Sequence, residues 1–261
     1  MCTIAVWHRV HPRIPLIVAA NRDEFLDRPY RPPERIAPGI VAGVDELAGG
    51  TWMGATAEGF FAGLTNVRPS EGGGRSGAEP PQTPRRRRSR GELVVDVLRA
   101  GAAGAADLIA SRSPADYNPF YLLFGDAAGL RLAASPPGAE TIALSEVAPG
   151  FHILPNGALD SPSFPKVARV AELVPDPTLP APQLIEALHR MLGDHVVVGN
   201  EPLTPICVHT PIYGTRSSTI LFIAEGRVER YLFAAGPPCT TELTDVTALL
   251  ARGDGARDVV G

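Results

Sequence analysis

Apolar positions fall in short runs along most of this chain. Residues 3–8 (TIAVWH) and 14–20 (IPLIVAA) are rich in β-branched and aromatic residues and predict two strands. The HPR between them, with Pro12 favouring a turn, makes them a hairpin. Residues 51–56 and 59–65 predict a second hairpin around Ala57 and Glu58. Residues 120–125 and 130–135 predict a third, turning at Asp126. Two late strands, 218–224 and 227–233, meet at Glu225 and Gly226, a hairpin signal. The period changes after Ser89. Glu92 stands three residues beyond it in a capping-box pattern, and ELVVDVLRA follows with helical spacing. Further helices are predicted at 165–174 and 182–192. NRDEFLDRPYRPPER, polar and Pro-rich, reads as loop.

Strands, helix, strands, helices, strands is the order of an α+β chain with a largely antiparallel sheet. Pro69 to Arg88 is a Gly/Pro/Ser-rich stretch ending in four arginines, which reads as an exposed loop. Neither side of it looks like a complete domain, so residues 1–261 are expected to form one domain with an insertion at about 69–88.

Composition narrows the function only slightly. The apolar fraction of 44% and charged fraction of 20% are ordinary for a globular protein. A net charge of −4 gives no basic field for nucleic acid. No apolar run is long enough for a transmembrane helix, and no signal-peptide pattern is present. Cys2, Cys207 and Cys239 are odd in number and widely spaced, which argues against a disulfide framework. A cytoplasmic protein with reduced thiols is expected. Of 24 basic residues only Lys166 is lysine, which reads as codon bias.

Candidate chemistry begins at Cys2. Removal of Met1 would leave a thiol and a free α-amine on one residue. With unperturbed values of about 8.5 and about 8, the amine can take the thiol proton near neutral pH, so no histidine is needed. Covalent geometry holds the base in place. On position alone, Cys2 also reads as a small buried hydrophobe at a strand start. If the first two strands pair, Asn21, Arg22 and Asp23 return to the sheet end where Cys2 lies. Asp23 could then hold the α-ammonium and Arg22 could lower the thiol pKa. A polar turn with a surface Arg–Asp pair is the plainer alternative.

MCTIAVW followed by LIVAANRDEF resembles the NRDE proteins, the transport and Golgi organisation protein 2 family. GGTWMGATAEGFFAGLTNVR, SRGELV, LPNGALDSP and YGTRSSTILFI continue the resemblance in order, over nearly the whole chain outside the Arg-rich loop. The resemblance implies an N-terminal-nucleophile hydrolase-like αββα sandwich of two mainly antiparallel sheets. It also implies a link to secretory organisation and to haem and lipid handling. A more distant likeness, to penicillin V acylase and bile salt hydrolase, implies roles for single residues. Cys2 would be the nucleophile and Asp23 the amine holder, Asn66 and Asn156 the oxyanion donors, and Arg216 the late active-site arginine. Those amidases carry arginine three residues before the aspartate, where this chain has Ala20; Arg22 stands one residue before it instead.

The remaining candidates are weaker. Cys207 and His209 put thiol and imidazole on one strand face, but no second pair has zinc spacing, so a packed core pair and no metal site are expected. Trp7, Trp52, Phe60 and Phe61 are expected to pack between sheets rather than line a pocket. The leading expectation is an N-terminal-cysteine hydrolase acting on a non-peptide amide, or an ester or thioester, of a small acyl substrate, with no cofactor required. The alternative is a non-catalytic carrier of haem or an acyl-lipid metabolite. A third is a protein partner at the Arg-rich loop.

Overall fold

The computed structural model describes residues 2–67, 88–199 and 203–251. The expected loop at 69–88 therefore lies outside the described residues except for Arg88. The first half contains β1 (Thr3–His8), β2 (Leu16–Phe25), β3 (Tyr30–Ala37), β4 (Ile40–Asp45), β5 (Met53–Thr56) and β6 (Phe61–Asn66), then helix α1 (Arg90–Ala110). The second contains β7 (Phe120–Gly125), β8 (Leu130–Ser135), β9 (Ala143–Val147), β10 (Gly150–Leu154), helices α2 (Pro165–Glu172) and α3 (Ala181–Leu192), β11 (Tyr213–Ala224), β12 (Arg227–Ala234) and β13 (Thr244–Asp245).

The strands form two wholly antiparallel sheets. One runs β10-β1-β2-β11-β12-β13, the other β3-β4-β5-β6-β7-β8-β9. Side-chain alternation sorts the core into three layers. From β1 and β2, Ile4, Val6, Leu16 and Val18 face Val41, Ala55, Phe61 and Leu123 of the second sheet. Ala5, Trp7, Ile17 and Ala19 face outward, against Val167 and Val170 of α2 and Leu184, Leu188 and Met191 of α3. On the far side, Leu93, Val94, Val97 and Leu98 of α1 cover Ala62, Phe120, Leu122 and Phe124. The architecture is α+β, with helices outside two stacked sheets. Both faces of each central strand are buried, which is why β1 and β2 read as continuous apolar runs. Among the described residues no helix is long and apolar enough to cross a membrane.

Three expectations need correction. NRDEF is not loop: β2 continues through it to Phe25, because β11 pairs along it from Tyr213↔Phe25 to Ser218↔Asn21. RPPER belongs to β3, an edge strand, where proline costs no ladder hydrogen bond; the register shifts between Arg31 and Glu34, at the two prolines. β9 and β10 had no signal. The first is an edge strand exposed over its first four residues, so it lacks the apolar alternation that marks a strand. The chain passes from one sheet to the other between them. The predicted helices hold. Ser89 caps α1 by accepting from the Gly91 N–H, although its Glu92 partner bond is not seen.

Candidate active site

Cys2 immediately precedes β1. The pairing Thr3↔Asn21 sets the next residues, Cys2 and Arg22, side by side at the strand end. Cys2, Ile4, Ala20, Arg22, Trp52 and Ser217 are among the residues lining a narrow cleft between the sheets. Burial pushes the Cys2 thiol above its ordinary range. The Asp23 carboxylate adds to that, while the Arg22 guanidinium and the Asp23 N–H oppose it without overcoming it. The expected lowering by Arg22 is therefore present but outweighed.

Three consecutive residues of β2 take three different surroundings. Arg22, 4% exposed, faces the cleft. Its guanidinium carbon lies 4.4 Å from the centre of the Trp52 ring and 5.3 Å from that of Tyr30. Its Nη2 reaches Asp45 Oδ2 at 3.3 Å; its Nη1 is buried with no partner among the described residues. Asp45 is shared with Arg28 at 2.9 Å. Burial works against ionisation of Asp45, yet the Ala48 N–H and Arg28 hold its carboxyl below the usual range. Trp52 owes its position to Gly43: a Cβ there would stand 2.3 Å from the indole ring.

Asn21 and Asp23 face the opposite way, toward the helices, as a period of two demands. Asn21 Nδ2 donates to the carbonyls of Leu192 and Ile206 at 2.8 and 2.9 Å, and its Oδ1 accepts from Ser218 Oγ at 2.5 Å. Asp23 Oδ1 accepts from Thr215 Oγ1 at 2.6 Å, and Oδ2 accepts from Lys166 Nζ at 3.2 Å. Lys166 was missed as a site residue. Its only signal was being the single lysine in an arginine-rich chain.

Arg216 occupies a β-bulge of β11 between Thr215 and Ser217, rather than preceding the strand. The extra residue turns its side chain away from the ladder. It donates to the Leu26 carbonyl and lies 5.3 Å from the Tyr30 ring, which Arg22 also faces. Tyr30, not anticipated from sequence, donates from its hydroxyl to the Arg216 carbonyl at 3.0 Å. Asn66 ends β6, and Asn156 follows β10 by two residues. Asn156 Nδ2 donates to the Asn66 carbonyl at 2.6 Å, while its Oδ1 is buried without a partner among the described residues. Asn66 has the parity of Ala62 and Leu64, which pack with the α1 layer. The register Ile4↔Leu154, continued by two residues, would set Asn156 opposite Cys2. Cys2, Arg22 and Asp23 thus meet at one strand end. Arg216 stands one aromatic ring away, and the two asparagines touch each other. Of the four aromatics expected between sheets, Phe61 and Trp52 are there, Trp52 also lining the cleft; Trp7 and Phe60 pack under the helices.

Two facing antiparallel sheets, outer helices and a cysteine leading the first strand into the cleft define an N-terminal-nucleophile hydrolase-like fold. Penicillin V acylase from Agrobacterium tumefaciens superposes with a TM-score of 0.54 at 15% identity, covering 98% of this chain and 90% of its own. The C2A variant of the conjugated bile acid hydrolase from Clostridium perfringens gives 0.51 at 8% identity over 94% and 96%. The Caenorhabditis elegans ortholog of N-acylethanolamine-hydrolyzing acid amidase gives 0.50 at 11% over 85% and 92%. By sequence, the chain belongs to the Transport and Golgi organisation 2 family, whose model matches residues 1–232. The Transport and Golgi organization protein 2 homolog of Bos taurus is 29% identical over 266 residues, spanning 85% of this chain and 88% of that protein. The Homo sapiens homolog is 29% identical over 245 residues, spanning 82% and 84%.

Proposed function

We propose that this chain, once Met1 is removed, is an N-terminal-cysteine amidohydrolase that cleaves a non-peptide carbon–nitrogen amide. The carrying observation is that Cys2 and Arg22, side by side at one strand end, line the same cleft, where Arg22 Nη1 has no partner among the described residues. The amide hydrolases named among the structural neighbours support the reading at the level of fold.

The Cys2 amine takes the thiol proton, and the thiolate adds to the substrate carbonyl carbon. The resulting oxyanion accepts from the second amide hydrogen of Asn156, whose first is held by the Asn66 carbonyl. One such donor is worth about 3–4 kcal/mol of transition-state stabilisation. Asn66 thereby acts as a positioning residue. The α-ammonium returns its proton to the leaving amine as the carbon–nitrogen bond breaks. Water, deprotonated by the same amine, then hydrolyses the thioester. Asp23, neutralised by Lys166, fixes the strand end on which this happens, and Arg22 and Arg216 supply positive charge to an anionic part of the substrate.

The test is intact-mass analysis of the purified chain, followed by a panel of N-acyl amides and a thiol-directed acyl probe. Loss of Met1, turnover of at least one amide, and an acyl adduct on Cys2 are expected. Retention of Met1 with no adduct would defeat the mechanism. A carrier would instead bind haem or an acyl lipid equally well as wild type and as Cys2→Ala, and turn over neither.

A further inference from the structure

The expected core pair Cys207 and His209 is not one. Cys207 is buried, but His209 is exposed, and two residues from elsewhere in the chain join them. Cys239 Sγ lies 3.8 Å from Cys207 Sγ and 3.3 Å from His209 Nε2, and Cys207 Sγ lies 3.4 Å from the same nitrogen. His195 completes the group: one ligand atom from each residue lies within 4.8 Å of all the others. We propose that these four side chains form a tetrahedral site for a thiophilic divalent transition ion, zinc by ligand type, that staples the α3–β11 and β12–β13 connections together behind the candidate active site.

Geometry carries the proposal. Around zinc, with Zn–S about 2.3 Å and Zn–N about 2.0–2.1 Å, tetrahedral donors stand about 3.8 Å apart for two sulfurs and about 3.5 Å for sulfur and nitrogen. The 3.8, 3.4 and 3.3 Å separations match that cage. A ring nitrogen of His195 lies within 4.8 Å of the other three ligand atoms. Its ring centre is 5.1 Å from that of His209, and it lies in a loop beyond α3. Two thiolates cancel the charge of a dication, releasing two protons on binding. Two sulfurs and two imidazoles in a tetrahedron select zinc over magnesium or calcium, which take oxygen. Four protein ligands leave no open position, so the ion is structural.

The surroundings are already arranged for such a clamp. The Cys207 N–H donates to the Asp194 carbonyl at 2.8 Å, and Arg169 holds the Asp194 carboxylate at 3.0 and 2.7 Å. Cys239 packs on Gly193, where a Cβ would come within 3.4 Å of the Cys239 backbone. One residue before Cys207, the Ile206 carbonyl accepts from Asn21. One residue after it, the Val208 carbonyl accepts from the Thr215 N–H and the Val208 N–H donates to the Thr215 hydroxyl, which itself donates to Asp23. Linear spacing concealed the site, since Cys207 and Cys239 lie 32 residues apart.

The test uses the untagged full chain, purified under reductant in zinc-supplemented medium. Elemental analysis should find one zinc per chain, and a strong chelator should lower Tm reversibly. Exchange with cobalt(II) should give the visible d–d bands of a tetrahedral ion together with thiolate charge transfer. Cys239→Ser and the exposed-site change His209→Ala should each lose the metal while far-UV circular dichroism is retained. Substoichiometric zinc, a cobalt spectrum unchanged by His209→Ala, or a Cys207–Cys239 disulfide in the reduced preparation would each overturn the proposal. None of these readouts depends on hydrolysis.

Discussion

Lys166 Nζ stands 3.2 Å from Asp23 Oδ2, and neither side chain is more than 3% exposed. A charge pair this deep is held by its own partners, since breaking it leaves an ion without water. Lys166→Met should therefore cost about 3–5 kcal/mol, and Asp23→Asn a similar amount. The double variant should recover much of the loss. Chemical denaturation of the four proteins in a double-mutant cycle checks this; additive losses would mean that the pair is not coupled.

Cys2→Ala should abolish acyl-probe labelling and reduce amide turnover by about 10⁴-fold or more, the scale of losing a nucleophile. The unfolding midpoint should barely move, because the change is small and lies at a strand start. Before Met1 is removed, the raised thiol should alkylate slowly at neutral pH. Its rate with iodoacetamide should keep rising with pH beyond the range in which an ordinary cysteine levels off. After trimming, the rate profile should shift to lower pH.

Arg22→Lys keeps the charge and removes both the guanidinium over the Trp52 ring and its single bond to Asp45. A stacked guanidinium at a desolvated site is worth about 2 kcal/mol, so a loss of about that size is expected on denaturation. Gly43→Ala should produce part of the same effect without touching Arg22. It would drive a methyl into the indole that Arg22 rests on. If near-UV circular dichroism of Gly43→Ala is unchanged, Trp52 is not where the stack requires it.

Asp45 has its carboxyl held below its ordinary value of 3.8. The sign follows: the folded state binds the proton more weakly than the unfolded one, so the stabilisation is complete above 3.8 and is lost as pH falls through the lower, folded value. Denaturation of wild type and Asp45→Asn from pH 7 to pH 2 should show a gap that is constant in the upper range and narrows only below about 4. A gap that narrowed near neutrality would point to a different group.

Much of this architecture was legible because burial on both faces leaves continuous apolar runs, as in β1 and β7. What escaped had the opposite cause. NRDEF is polar because its side chains are satisfied individually, by Leu192, Ile206, Thr215, Lys166 and Asp45, and no local rule anticipates partners so remote in the chain. β3 hid behind prolines that only an edge strand tolerates. At the site, Cys2 and Asp23 were readable from hairpin pairing alone. Lys166, Tyr30 and Trp52 were not, because each reaches the site from a different element through packing. Asn66 and Asn156 were named individually, but their mutual hydrogen bond is a tertiary fact.

The alternating faces of β2 make this protein sensitive to frame in a way that composition hides. Arg22 looks into the cleft while its neighbours Asn21 and Asp23 look toward α2 and α3. Deleting one residue between Leu16 and Ala20 would send Arg22 into the helical layer against Lys166 and turn a carboxylate onto the indole. The turn at residues 9–13 should absorb an extra residue with little harm, whereas the five positions after it should tolerate substitution far better than any change in their number.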